Sequence, residues 1–377
     1  MRSLILALLA STALAVPPAA ADELDVVATF TILGDMVEEV GGDRVAVTSL
    51  VGADGDAHVF QPTPQDARAV AAADVMFVNG LGFEGWIERL IEASGYTGPV
   101  VVATRHVPAL RYGDDEDHDH AGEAHGHDHS HEEAHAHGHD HSHEEEHAHG
   151  HDHAHEEEHA HGHDHDHEEE HAHGHDHAHE EEHDHGHDHA HDHGHGHAQA
   201  HGEYDPHAWM SLTAAKDYVR AIAEGLSEAD PEGAELYAAN AAAYTAELAA
   251  VDEKLRANLA ALPEGQRTVV VPHAAFRYFE KDYGVRFLSP QGVSTEAEAS
   301  ARDVARLIEQ IRAEGINAVF LENITDNRLV ERIAEETGAV VGGKLYSGSL
   351  SGPDGPAPSY IELMRYNIRT LTSALGS

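Results

Sequence analysis

Residues 24–51 read LDVVATFTILGDMVEEVGGDRVAVTSLV, and the order of the parts decides the fold. LDVVATF is a β-rich run, TILGDMVEEVGG has helical spacing and ends in a glycine pair, and RVAVTSLV is the next strand. Two apolar strands with a helix between them make a βαβ unit, the building block of a parallel sheet. The same alternation continues. After a loop carrying Asp56 and His58, Pro64 stands at a first helical position before QDARAVAAA. DVMFVNG then reads as a buried strand, GWIERLIEASG as an amphipathic helix and PVVVAT as a further strand. Past residue 203 the pattern returns. YDPHAWMSLTAAKDYVRAIAEGL is a capped helical stretch, and an Ala-, Glu- and Leu-rich helix follows from Pro231 to Leu262. At 1.5 Å per residue that helix spans about 45 Å, more than one small lobe needs, which suits a strut between two lobes. TVVVPH, VRFLSP, NAVFLEN and AVVGGK are the strands of a second lobe. Its helices are AAFRYFEKDYG, TEAEASARDVARLIEQIRAEG, DNRLVERIAEETG and SYIELMRYNIRTLTSAL. The expected fold class is α/β: two lobes, each a mostly parallel sheet covered by helices, joined by one long rigid helix.

Residues 114–202 interrupt this pattern. HEEEHAHGHDHA starts at His143 and recurs at 12-residue intervals, from His155 with one change, from His167 unchanged and from His179 with one change, preceded by HEEAHAHGHDHS from His131. Between Asp114 and Glu203 there are 35 of the 39 histidines, 30 acidic residues and not one Lys or Arg. No repeat holds a large apolar residue to offset chain entropy, so the insert is expected to be disordered without metal. The whole chain has 377 residues and a formal net charge of −47. That charge opposes nucleic-acid binding, which needs Lys and Arg to displace counterions. With no cysteine, thiolate zinc sites, iron–sulfur clusters, disulfides and a lipidated cysteine are excluded. At the start, Arg2, the apolar run Leu4–Val16 and the small residues Ala19-Ala20-Ala21 read as a secretory signal peptide cleaved near Ala21/Asp22. The expected organisation is 1–21 signal peptide, 22–113 N-terminal lobe, 114–202 His-rich metal-binding insert, 203–230 remainder of the N-terminal lobe, 231–262 linking helix and 263–377 C-terminal lobe. The expected location is the periplasm.

Four histidines lie outside the repeat: His58, His106, His207 and His273. Ligands of open α/β sheets bind beyond the carboxyl ends of strands, where His58 and His273 fall, while His207 opens the helical stretch after the insert. Three neutral imidazoles from separate elements would make a nitrogen-rich site suited to Zn²⁺. Spacing alone does not make them converge, and each could equally be a surface or core histidine. Trp86, Trp209, Phe276, Tyr278, Phe279 and Tyr283 are expected to pack the cleft walls and lobe cores. Outside the repeat there is no GxSxG, Walker A or HExxH pattern, so those enzyme chemistries lack support.

GDAHVFQPTP, NGLGFEGWIERL, DPHAWMS, PHAAFRYFEKDYG and PSYIELMRYNI, in this order, resemble the periplasmic metal-binding receptors of zinc and manganese ABC importers. The resemblance covers about residues 24–111 and 203 to the end. It implies two α/β lobes on a long helix with the metal in the cleft between them, and it makes His58, His207 and His273 the ligands. Histidine at the third position, where manganese-type members tend to carry a carboxylate, points to the zinc type. So does a His-rich insert. Many members place an aspartate in a segment like LYxDxLS, whereas this chain reads LYSGSLS with Gly348 there. The fourth position then falls to water, a histidine of the insert, or a nearby carboxylate, Glu322 or Asp354. Glu322 could instead hold a ligand ring, and Asp354 could be a plain turn residue. His106 is expected to be a surface histidine at the insert's hinge.

These readings combine into a periplasmic receptor, not an enzyme, that captures Zn²⁺ as transported cargo and delivers it to an ABC permease of the inner membrane. It is expected to act as a monomer, with other zinc chaperones as possible partners. The insert would collect or sense zinc at weak accessory sites such as His143, His147, His149, His151 and His153. The rival readings are a manganese or nickel receptor of the same family, a periplasmic zinc buffer or chaperone, and a zinc hydrolase.

Overall fold

A computed structural model describes residues 23–112 and 203–376; the signal-peptide and insert readings lie outside them. In the first lobe, β1 (Leu24–Phe30), β2 (Val45–Val51), β3 (Val75–Val78) and β4 (Val100–Val102) form a parallel sheet in the order β2-β1-β3-β4. The crossovers are α1 (Thr31–Gly41), α2 (Pro64–Ala72) and α3 (Ile87–Ser94). Thr63 caps α2 by accepting from the Gln65 and Asp66 amides, and Asp66 returns a bond to the Thr63 amide. With Pro64 next in line, that capping box explains why the helix begins where it does. β1 and β3 are buried along nearly their whole length, as strands covered on both faces must be. After residue 203 the chain rejoins this lobe with α4 (Leu212–Ala229), capped by Ser211 and packed on α1 and β4.

The linking helix is α5 (Ala234–Ala260), preceded by a 3₁₀ turn at Pro231–Gly233. Its buried residues are Tyr237, Tyr244, Leu248, Val251, Leu255 and Leu259. Spacings of three, four and seven place them on one stripe, which packs on α1 and α4 of the first lobe and on the last helix of the second. The helix is therefore a strut laid along both lobes, solvent-facing on its other side.

The second lobe repeats the plan. β5 (Thr268–Val270), β6 (Arg286–Leu288), β7 (Ala318–Glu322) and β8 (Val340–Leu345) form a parallel sheet ordered β6-β5-β7-β8. Its helices are α6 (Arg277–Tyr283), α7 (Ala301–Glu314), α8 (Arg328–Thr337) and α9 (Tyr360–Leu375). Val270 and Val319 face a small core under α7 and α8, while Val269, Val271, Phe320 and Leu345 face a large core continuous with the first lobe. The β7–β8 register slips between Val319 and Leu321, beside the glycine pair of β8. Gly343 has φ +136°, and a Cβ at Gly342 would meet Phe320 at 2.7 Å. Only glycine fits that irregularity.

Two helices start later than their apolar spacing predicts. The helix expected from Thr295 begins at Ala301, because Ser300 caps it by accepting from the Asp303 amide and because the Thr295 hydroxyl donates to Asp56 of the first lobe. The helix expected from Ala274 begins at Arg277, after the Ala274 amide donates to the Gly292 carbonyl. Trp86, Trp209, Phe276, Tyr278, Phe279 and Tyr283 are all buried. Among the described residues no helix is long and apolar enough to cross a membrane.

Candidate metal centre

His58 sits in the loop after β2, His207 at the start of a 3₁₀ turn that leads into α4, and His273 just beyond β5. The three rings meet in the cleft, with centroids 5.2, 5.4 and 5.7 Å apart. One nitrogen from each lies within 4.8 Å of the others, and His58 Nε2 is 3.1 Å from His207 Nε2. Nitrogens at about 2.0–2.1 Å from a tetrahedral zinc stand roughly 3.3 Å apart, so the His58–His207 pair already stands near that spacing and His273 close by. Among the described residues this is the one group of three or more potential ligands.

Each histidine is held from behind. Two residues before His58 and His207 stands an aspartate, and in both cases its Oδ1 accepts from the histidine amide at 2.9 Å. Asp205 goes further: its Oδ1 also lies 2.8 Å from His207 Nδ1, which turns Nε2 toward the cleft. On His273 the same part is played by Glu322, at the end of β7. Its Oε2 is 2.5 Å from His273 Nδ1, its Oε1 accepts from the His273 amide at 3.2 Å, and Ser347 Oγ donates to Oε2 at 2.6 Å. Carboxylates behind ligand imidazoles fix the tautomer and increase basicity.

The electrostatics favour neutral rings at His58 and His207. Burial, reinforced by the two other histidines, holds His58 well below the usual imidazole range. Burial also lowers His207 despite the opposing pull of Asp205. For His273 burial acts downward too, but Glu322 outweighs it and holds the ring above its ordinary value. His207 and His273 are fully buried, whereas His58 is partly exposed. It borders a cavity of about 570 Å³ whose walls include Phe60, Phe83, Trp86, Tyr204 and Glu296. Solvent thus reaches the group from the His58 side.

The structure sets the remaining candidates apart. Glu322 backs His273 and is not in the ligand group. Asp354 is exposed in the turn closed by the Gly355 amide on the Gly352 carbonyl, and it too is outside the group. A Cβ on Gly348 would lie 2.7 Å from Ile324 Cδ1, so an apolar side chain fills the space beside that glycine. His106 pairs with Glu224 at 2.7 Å, apart from the group. His143, His147, His149, His151 and His153 lie outside the described residues. Sequence reasoning gave no role to Asp205 or Ser347. The repeated Asp-x-His spacing of DAH and DPH was a usable signal for the first; Ser347 had none.

The sequence profile of the family described as "Zinc-uptake complex component A periplasmic" matches residues 26–374. The chain is 28% identical to the iron-binding protein YfeA of Yersinia pestis, over 96% of this chain and 89% of that one. It is 25% identical to the manganese-binding lipoprotein MntA of Halalkalibacterium halodurans, over 94% and 89%. In fold it is similar to the periplasmic zinc-binding protein TroA from Treponema pallidum, with a TM-score of 0.67 at 22% identity over 94% of this chain and 99% of that one. With its cleft, ring group and family profile in agreement, the chain belongs to the Zinc-uptake complex component A periplasmic family, the metal-binding receptors that serve ABC importers and are not enzymes.

Proposed function

We propose that this receptor carries zinc: that it captures Zn²⁺ at His58, His207 and His273 outside the cytoplasm and hands it to an inner-membrane ABC permease. The observation that carries this reading is the donor set, three imidazoles with no carboxylate in the ligand group. Imidazole suits zinc, whereas manganese favours carboxylate, carbonyl and water oxygens and stands low in the Irving–Williams order. Ile324 beside Gly348 supports the same reading, since no acid occupies that place and the fourth position is left to water. The rival is a manganese or iron receptor, as the names of the relatives at 25% and 28% identity would have it.

We further propose that residues 1–21 direct export to the periplasm and that the His-rich segment 114–202 collects zinc weakly. Held on the same chain, it would raise the local concentration of metal near the receptor. The lobes and linker are taken to follow the bounds 22–113 with 203–230, 231–262 and 263–377.

The test is a metal competition on metal-free protein. One zinc per chain should bind tightly with residues 113–202 replaced by a short linker, and manganese alone should bind weakly and be displaced by equimolar zinc. Manganese or ferrous iron held as firmly as zinc would turn the reading to the rival. Alanine at His58, His207 or His273 should each weaken zinc by at least about tenfold, about 1.4 kcal/mol. Undiminished affinity in all three would remove the site.

A further inference from the structure

The strand that delivers His207 is one side of a narrow neck. Residues 110–112 and 203–205 run antiparallel, with an Arg111–Tyr204 bridge. The Tyr112 amide donates to the Glu203 carbonyl at 3.1 Å, and the Asp205 amide to the Leu110 carbonyl at 2.8 Å. Arg111 pairs with Glu203 and stands over the Tyr204 ring. The neck therefore joins the two ends of the 90 residues between Tyr112 and Glu203. It leads directly into Asp205, whose carboxylate orients His207.

What clamps the neck comes from the other lobe. Tyr278 of α6 is buried, and its hydroxyl touches both strands: it accepts from the Leu110 amide at 3.0 Å and donates to the Asp205 carbonyl at 3.3 Å. Next to it, both terminal nitrogens of Arg277 donate to the Arg111 carbonyl at 3.1 Å, and its guanidinium covers the Tyr112 ring at 5.0 Å.

We propose that Tyr278 is a positioning residue for metal capture, its hydroxyl tying both strands of the neck to the second lobe so that the Asp205–His207 pair is held in register with His273. His273 lies on the connection between β5 and α6 and Tyr278 in the first turn of α6, so the clamp references one proposed ligand to another across the lobe boundary. The inference rests on the three-histidine reading above.

The experiment uses the full chain with Zn²⁺ competition, release kinetics and the visible spectrum of bound Co²⁺. Tyr278→Phe keeps the ring and deletes the clamp. It should weaken zinc by about tenfold, the lower end of effects seen for outer-shell partners of metal ligands. It should also speed release and alter the Co²⁺ spectrum. If Tyr278 acts through His207, adding Tyr278→Phe to His207→Ala should change nothing further. Wild-type affinity and spectrum in Tyr278→Phe, with His207→Ala clearly weakened, would overturn the clamp alone. An equal loss in the His207→Ala background would overturn it as well, leaving a general packing role. Wild-type binding by His207→Ala would bring down the three-histidine reading and the clamp with it. Should Tyr278→Phe not fold, Arg277→Gln loosens the same neck from its exposed side. It should shift release and spectrum in the same direction, and a wild-type result there overturns the proposal.

Discussion

At the level of single residues, the centre is made by what stands behind the rings. Glu322 accepts from the His273 amide, lies 2.5 Å from His273 Nδ1 and is itself held by Ser347. Glu322→Gln should therefore lower zinc affinity by about ten- to a hundredfold without removing a ligand; unchanged affinity in a competition titration would deny it this role. Gly348 gives the opposite kind of test. The resemblance alone would let Gly348→Asp restore a fourth ligand, with zinc binding tightened or left similar. The contact with Ile324 changes that expectation. An added side chain must shift the far end of the half-buried Ile324 side chain, which places the cost at the low end of the about 1–3 kcal/mol of overpacking. Gly348→Asp should lower the thermal midpoint without tightening zinc, whereas Gly348→Asp with Ile324→Ala should regain stability and bind zinc at least as well as wild type. Tighter binding by the single variant would show that the space is open after all.

Among elements, the junction of α1, α5 and α9 carries a second feature that the apolar pattern hides. Asp35 on α1 accepts from the Tyr360 amide at the start of α9 at 2.9 Å. Around it lie Glu38 and Glu39 of α1, and Tyr244 of α5; Glu247 of α5 adds to the charge acting on Glu39 and Tyr244. Burial, opposed by the Tyr360 bond but aided by repulsion from Glu39 and Glu38, pushes the Asp35 carboxyl up to about 7. An unfolded aspartate titrates near 3.9. The folded chain therefore holds a proton that the unfolded chain has lost, and stability from this group is present in full below about pH 4. It is lost as pH rises toward about 7 and is level above that, with a slope of up to about 1.4 kcal/mol per pH unit. Asp35→Asn keeps an acceptor for the Tyr360 amide and removes the charge. Its thermal midpoint should exceed that of wild type at pH 8, with the gain shrinking toward pH 5. A gain that is the same at both pH values would show that Asp35 does not titrate in this window.

Across the whole molecule, the neck predicts that the His-rich segment can be cut out of the chain. Its ends are already paired at Arg111 and Tyr204, so a linker of about four residues can replace the 90 between Tyr112 and Glu203. Loop-closure entropy falls by about 0.6 kcal/mol per halving of length, so the shortened chain should gain roughly 2–3 kcal/mol. The expected outcome is a protein that melts no lower than the full chain and keeps one tight zinc. Cells carrying it should lose zinc uptake mainly under strong chelation, when local capture limits supply. Equal growth under chelation would leave the segment no collecting role.

The sequence by itself determined the architecture, because strand and helix each impose a local period. The run from Leu24 to Val51, the stripe on α5 and the return of βα units after residue 263 were all readable from spacing. The three histidines were singled out by placement and by the family resemblance: His58 and His273 follow strands, and His207 opens a 3₁₀ turn. Only the tertiary structure decided what supports them. Glu322 bonds the His273 amide from 49 residues away, Ser347 reaches back to Glu322 from 25 residues away, and Tyr278 lies 168 residues from the Leu110 amide it accepts from. No local period records such pairings. They exist because a polar group buried between two lobes is costly without a partner and takes one wherever the packing brings it.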